Sequence, residues 1–215
     1  MLADRDWPTA AGQPYETMRL FVGVWLSEEI QDAVMNYMER SREEILGWKW
    51  TKRQNLHFTL KFLGELPKGR LNELSMALKM AATQSRPFLL RLGNIGFFPK
   101  RGTPRIIWIG AEKGGQELIQ LADLVESNCL ERGFGKRDQP FQPHVTIARA
   151  KQEDYPRGNP SSPFHSFGMP AELSLPKISF ETAMPVCSFS LIESNLYPSG
   201  AVYKRVEEFQ FEKQL

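Results

Sequence analysis

Asn55-Leu56-His57-Phe58-Thr59-Leu60-Lys61-Phe62 and Gln142-Pro143-His144-Val145-Thr146-Ile147-Ala148-Arg149 carry one pattern: histidine, apolar residue, threonine, apolar residue. The chain has 215 residues and three histidines, and two of the three stand in this setting. Strand periodicity gives the pattern physical content, because residues i and i+2 of a strand point to the same side. The alternation predicts Leu56, Phe58, Leu60 and Phe62 against a core, with His57, Thr59 and Lys61 on the opposite side. Likewise Val145 and Ile147 would be buried, while His144 and Thr146 look out. Each copy offers an imidazole and a hydroxyl side by side on an otherwise apolar strand.

Outward from the first copy, Leu20 to Leu26 reads as a strand. Ser27 caps a helix with Glu28 and Glu29 at its positive end, and Ile30, Val34, Tyr37, Met38 and Ile45 keep helical spacing as far as Gly47. Trp48 to Trp50 is a short strand, and Thr51 to Gln54 a basic turn leading into the His57 strand. A second helix is predicted over about 70–84 with Leu71, Leu74, Leu78 and Ala81 inward. Phe88 to Leu92 is a strand that continues extended to Phe98, and Ile106 to Ile109 is a central strand. A third helix follows Gly114-Gly115 to about Glu131, with Leu118, Leu121, Val125 and Cys129 inward. Residues 136–142 deliver the His144 strand. Residues 151–171 hold four prolines and read as a long loop carrying His165, a surface residue. Strands at about 175–181, 187–196 and 201–209 close the chain. Residues 1–17 read as an extension, and 18–215 as one domain. The strand–helix–strand block of each histidine predicts an α+β fold of two similar lobes, each an antiparallel sheet backed by helix, with the histidines meeting across the cleft.

Composition narrows the chemistry. A hydrophobic content of 41% excludes a mostly disordered chain. A net charge of +2 does not predict tight duplex binding but suits a small anion or one nucleic-acid end. Cys129 and Cys187 make neither a metal spacing nor a disulfide framework, which predicts a reducing, cytoplasmic setting. No secretory signal or membrane span is predicted. The histidines lack the short spacing and partner carboxylate of a zinc site, so no metal or other cofactor is expected.

Two facing imidazoles form an acid and base pair. With unperturbed pKa values of about 6.5, one could be neutral and the other protonated near neutral pH. Thr59 and Thr146 could hold the oxygens of a tetrahedral anion, and a phosphodiester is the natural match. Arg149 could add charge to that clamp, although it shares strand parity with buried Val145 and Ile147 and reaches the cleft only if the strand ends or bulges first. Lys100, Arg101 and Arg105 could meet an RNA backbone or be solvated, and the same applies to Lys52, Arg53 and Lys61. Tyr203 could lie near the cleft. Phe97, Phe98 and the tryptophans read as core.

From Met18 to about Glu208 the chain resembles the 2H phosphoesterase superfamily, and within it the RNA 2′,3′-cyclic phosphodiesterases, also called the 2′-5′ RNA ligase family. The resemblance rests on Met18-Arg19-Leu20-Phe21-Val22, the segment from Asn55 to Gly64, Phe98-Pro99, Arg105-Ile106-Ile107-Trp108, Pro143 to Arg149, Glu193-Ser194-Asn195-Leu196 and Gly200-Ala201-Val202-Tyr203. It implies hydrolysis of an RNA 2′,3′-cyclic phosphate to a 2′-phosphomonoester without a metal. His57 would protonate the departing 3′ oxygen, His144 would deprotonate water, and Thr59 and Thr146 would hold the phosphate. It also implies a reverse 2′-5′ joining of RNA ends. The expected partner is an RNA terminus or a cyclic nucleotide, met by a monomer. Two rivals are a 2H esterase for 2′-5′ oligonucleotides or another cyclic nucleotide, and an RNA-end binding protein without turnover.

Overall fold

The structure is a computed structural model that describes residues 16–45, 47–100, 104–150 and 180–212. Arg101, His165, the loop 151–171 and residues 1–15 of the expected extension lie outside the described residues. In chain order the elements are β1 (Thr17–Trp25), α1 (Glu28–Glu44), β2 (Trp48–Trp50), β3 (His57–Pro67), α2 (Leu71–Thr83), β4 (Phe88–Phe98), β5 (Ile106–Lys113), α3 (Gly115–Glu131), β6 (Val145–Ala150), β7 (Ala183–Val186), β8 (Ser188–Tyr197) and β9 (Gly200–Gln210). Of the strand expected at 175–181, residues 175–179 lie outside the described residues and 180–181 are not in a strand; a further strand, β7, begins at Ala183.

The helices form where their apolar spacing places them. The Ser27 hydroxyl accepts the Ile30 amide at the start of α1, and Glu28 and Glu29 occupy its first turn, where the helix dipole favours negative charge. Ile30, Val34, Tyr37 and Met38 are buried, as are Leu74, Leu78 and Ala81 of α2 and Leu118, Leu121, Val125 and Cys129 of α3. The fold class is α+β, with every strand pair antiparallel.

The strands run β7-β4-β5-β6-β3-β1-β8-β9, with β2 beside β6. The two histidine strands are therefore neighbours at the middle of the path. They touch at one pair, Phe58 opposite Val145. Beyond it β2 takes the same edge of β6, with Trp50 opposite Ala148, so β3 and β6 meet and then part. On either side the order repeats: β3 is flanked by the strand that precedes α1, and β6 by the strand that precedes α3.

Register shifts correct the simple alternation. Val22 pairs with Lys61 and Gly23 with Thr59, so Leu60 is an extra residue in β3. Ile107 pairs with Ala148 and Trp108 with Thr146, so Ile147 is an extra residue in β6. Both bulges fall three residues after the histidine. A bulge reverses the parity of the residues beyond it. Lys61, expected outward, is 3% exposed, while Phe62, expected in the core, is 67% exposed. Arg149 is turned in the same way to the side of Thr146, opposite buried Ala148.

Candidate active site

Antiparallel register sets the geometry of the two motifs. With Phe58 opposite Val145, His57 stands across from Thr146 and Thr59 across from His144. The four side chains occupy the corners of a square on one face, with histidines on one diagonal and threonines on the other. Directly opposed positions are about 5 Å apart and diagonal ones roughly 7–8 Å, a span that one tetrahedral anion can bridge. Phe58 and Val145, both fully buried, anchor the opposite face.

Each imidazole is held the same way. His57 Nδ1 donates to the Asn55 carbonyl at 2.7 Å, and His144 Nδ1 donates to the Gln142 carbonyl at 2.7 Å. A carbonyl only accepts, so the proton of each neutral ring sits on Nδ1 and each Nε2 is left with its lone pair. His57 Nε2 is 2.9 Å from the Thr59 hydroxyl, which donates to it when the ring is neutral. Asn55 is itself fixed by its side-chain amide, which donates to the Ala201 carbonyl at 2.9 Å. This contact ties the turn before β3 to the start of β9.

Aromatic rings wall the site. Phe21 lies 4.9 Å from the His57 ring, Trp25 5.6 Å and Tyr203 5.3 Å, the last edge-on. Phe98 stands edge-on to His144 at 5.1 Å and stacks on Trp108 at 5.3 Å. Two glycines make the room. A Cβ on Gly23 would meet the Phe58 carbonyl at 2.8 Å and His57 Cδ2 at 3.3 Å, and one on Gly96 would collide with the Trp108 indole.

These walls decide the protonation state. Burial pushes His57 down to about 4, against its bond to the Asn55 carbonyl, and the nearby His144 and Arg149 lower it further. Burial also lowers His144, again against its carbonyl bond and with help from Arg149. Desolvation, which outweighs the carbonyl bonds, thus favours the neutral form of both rings. Burial raises the Tyr203 hydroxyl, opposed by the charges of Arg149 and Arg19. The Arg149 charge is thus felt by His57, His144 and Tyr203 alike.

Comparison with known proteins identifies the family. A family model described as LigT-like phosphoesterase matches residues 24–108, which include the first His/Thr strand. A Thermus thermophilus protein named RNA 2′,3′-cyclic phosphodiesterase is 34% identical over 200 residues, covering 89% of this chain and 89% of its own. An Archaeoglobus fulgidus protein of the same name is 34% identical over 195 residues, covering 90% and 100%. The chain belongs to the LigT-like phosphoesterase family. The crystal structure of TT0787 from Thermus thermophilus superposes on this member with a TM-score of 0.71 at 32% identity, covering 90% of this chain and 98% of the other.

The positions expected from sequence are distributed unevenly over this phosphoesterase. His57, Thr59, His144 and Thr146 share one face, and Arg149 and Tyr203 join them electrostatically or by ring contact. Lys100 and Arg105 are exposed at the ends of the β4–β5 connection. Arg53 donates to Asp32 at 2.7 Å and to the Glu28 carbonyl, and Lys61 is paired with Glu126, so neither reads as a free RNA contact. Phe21, Trp25, Phe98, Trp108 and Phe62 are the site residues that sequence reasoning missed. The signal for Phe21, Trp25 and Trp108 was available: Leu20 to Leu26 and Ile106 to Ile109 lack polar alternation, which marks strands covered on both faces. Among the described residues no helix is long and apolar enough to cross a membrane, and no group of three or more His, Cys, Asp or Glu could hold a metal ion.

Proposed function

We propose that this phosphoesterase opens RNA 2′,3′-cyclic phosphate ends to 2′-phosphomonoesters. The observation that carries the reading is the pair of imidazoles with locked Nδ1 protons and Nε2 atoms on one face. An anionic diester entering between them favours a protonated ring and raises the low pKa of whichever histidine receives the proton. His57, once protonated, donates from Nε2 to the 3′ oxygen as the P–O3′ bond breaks. His144 takes a proton from the attacking water at its own Nε2 as the new P–O bond forms. The proton transfers balance with the two imidazoles alone, and the rings end with exchanged protonation states. Thr59 releases His57 Nε2 to hold a phosphate oxygen, Thr146 holds another, and Arg149 offsets the developing charge. 2′-5′ joining follows the same path: an RNA 5′-hydroxyl takes the place of water at His144, and His57 again protonates the 3′ oxygen as the P–O3′ bond breaks.

Phe62 deepens the reading. Its exposed ring lies 6.2 Å from Phe21 on the side of the sheet that carries Thr59 and His57. It offers a stacking face for the base of the terminal nucleotide. A monomer is part of the proposal, and two cysteines without a disulfide spacing accord with a reducing, cytoplasmic setting for it. The test is an RNA with a cyclic phosphate end, its product assigned by phosphorus NMR. A 2′-phosphate product, lost in His57→Ala and in His144→Ala, is expected. Turnover that persists in both variants sinks the mechanism, and a different product assigns another 2H esterase activity. Tight binding of the cyclic end without product identifies a binding protein instead.

A further inference from the structure

The bulge at Leu60 does more than expose Phe62: it drives Lys61 into the interior. There the Lys61 ammonium donates to Glu126 Oε2 at 2.6 Å and to the Gly135 carbonyl at 2.7 Å. The other oxygen of Glu126, Oε1, accepts the Arg137 amide at 2.8 Å. The Arg137 guanidinium closes the cluster on Asp123 of α3. One buried ion pair therefore grips both ends of the segment 135–137, and that segment leads directly to Gln142, whose carbonyl orients His144. A charged pair this deep is weak evidence for stability, since desolvation consumes most of the attraction. Its geometry is better suited to registration: its oxygens and protons are spent on backbone groups of the approach to His144.

We infer that Lys61 and Glu126 are positioning residues, through which the strand carrying His57 fixes the ring of His144. The inference rests on the proposed two-histidine site for its catalytic meaning, but its structural content is independent of any substrate. Lys61 lies on the far face of β3 from His57, opposite Val22, so it does not touch a bound phosphate. Its influence on chemistry passes through residues 135–142. A misplacement of a reacting group by about 1 Å costs on the order of a hundredfold in rate, and loosening this brace displaces the ring of His144 rather than that of His57.

The experiment uses the full chain as Lys61→Met and as Glu126→Gln, the second keeping an acceptor for the Arg137 amide should the first fail to fold. Two readouts are taken. The low-field Nδ1–H resonances of His57 and His144 are followed by NMR without substrate, and kcat and KM are measured on a cyclic-phosphate RNA end. The expected result is loss or displacement of the His144 resonance with that of His57 retained, and kcat down by roughly tenfold to a hundredfold at little-changed KM. If both resonances survive unmoved while the fold only weakens, or if both rings are perturbed equally, the inference is overturned and the pair is structural. Should the wild-type protein turn over no cyclic phosphate, the proposed function fails, and the resonances still decide this inference.

Discussion

Protonation of His57 on its own destabilises the fold, and the size of the effect comes from the site. An unfolded histidine titrates at about 6.5, whereas burial among Phe21, Trp25 and Tyr203 brings His57 down to about 4. Between those two values the unfolded chain binds more protons than the folded one, so stability rises with pH across the window. It is fully present above about pH 6.5, lost progressively as pH falls, and constant again below about 4. A shift of this size corresponds to roughly 3 kcal/mol, a large share of the 5–15 kcal/mol typical of a domain. Urea unfolding of the wild type and of His57→Gln at half-unit steps from pH 4 to 7 measures it. The difference between the two curves should tilt by about that amount against the wild type on the acid side. His144, present in both proteins and lowered for the same reason, largely cancels. Saturating inorganic phosphate should shrink the tilt, because an anion between the rings favours their protonated forms. A difference that stays flat within about 1 kcal/mol over the whole range refutes the claim that desolvation rules this ring.

Other perturbations draw on the same geometry. Gly23→Ala places a methyl against the Phe58 carbonyl and His57 Cδ2; about 1–3 kcal/mol of overpacking strain and a marked loss of kcat are expected from unfolding curves and steady-state kinetics. Arg149→Ala should raise KM about tenfold to a hundredfold through a lost charge-assisted contact. It should also move the acid limb of kcat/KM to higher pH, since the Arg149 charge lowers both histidines. Phe62→Ala should weaken nucleoside cyclic phosphates about tenfold or more relative to a base-free cyclic phosphate, read as the ratio of the two kcat/KM values. A thiol reagent should label exposed Cys187 quickly and leave Cys129, buried and pushed up to about 12 by desolvation, unreacted until the protein unfolds.

Much of the site is legible because its logic is local. A histidine and a threonine two residues apart share a strand face whatever surrounds them, and the apolar residues between them, Phe58 and Val145, had to point the other way. The helices are legible for the same reason: caps and spacing lie within one segment. The features that resist reading are set by partners. Nothing in Leu60 or Ile147 announces a bulge. It arises because β1 and β5 skip one residue each when they pair, and that choice belongs to the whole sheet. The error then propagates by one rule, because reversed parity sends Lys61 inward and Phe62 outward together. The low pKa values resist reading too, since they depend on rings drawn from β1, β4, β5 and β9 that converge only in the folded sheet.

The paired bulges also explain how a nearly symmetric centre can perform an asymmetric reaction. The two motifs present equivalent imidazoles, each with its Nδ1 bonded to a carbonyl two residues earlier. Proton transfer by itself does not distinguish one end of a diester from the other. The first side chain that breaks the likeness on the cleft face is the one five residues after each histidine, which both bulges turn to the same side. It is a guanidinium at Arg149 and a phenyl ring at Phe62. One flank can therefore hold charge and the other an aromatic base. In the proposed reaction the terminal nucleoside is oriented by that difference, and its orientation decides which histidine faces the leaving oxygen. Joining then needs no rearrangement of the protein and no exchange of histidine roles: the cyclic phosphate is seated the same way, and an RNA 5′-hydroxyl replaces water at His144.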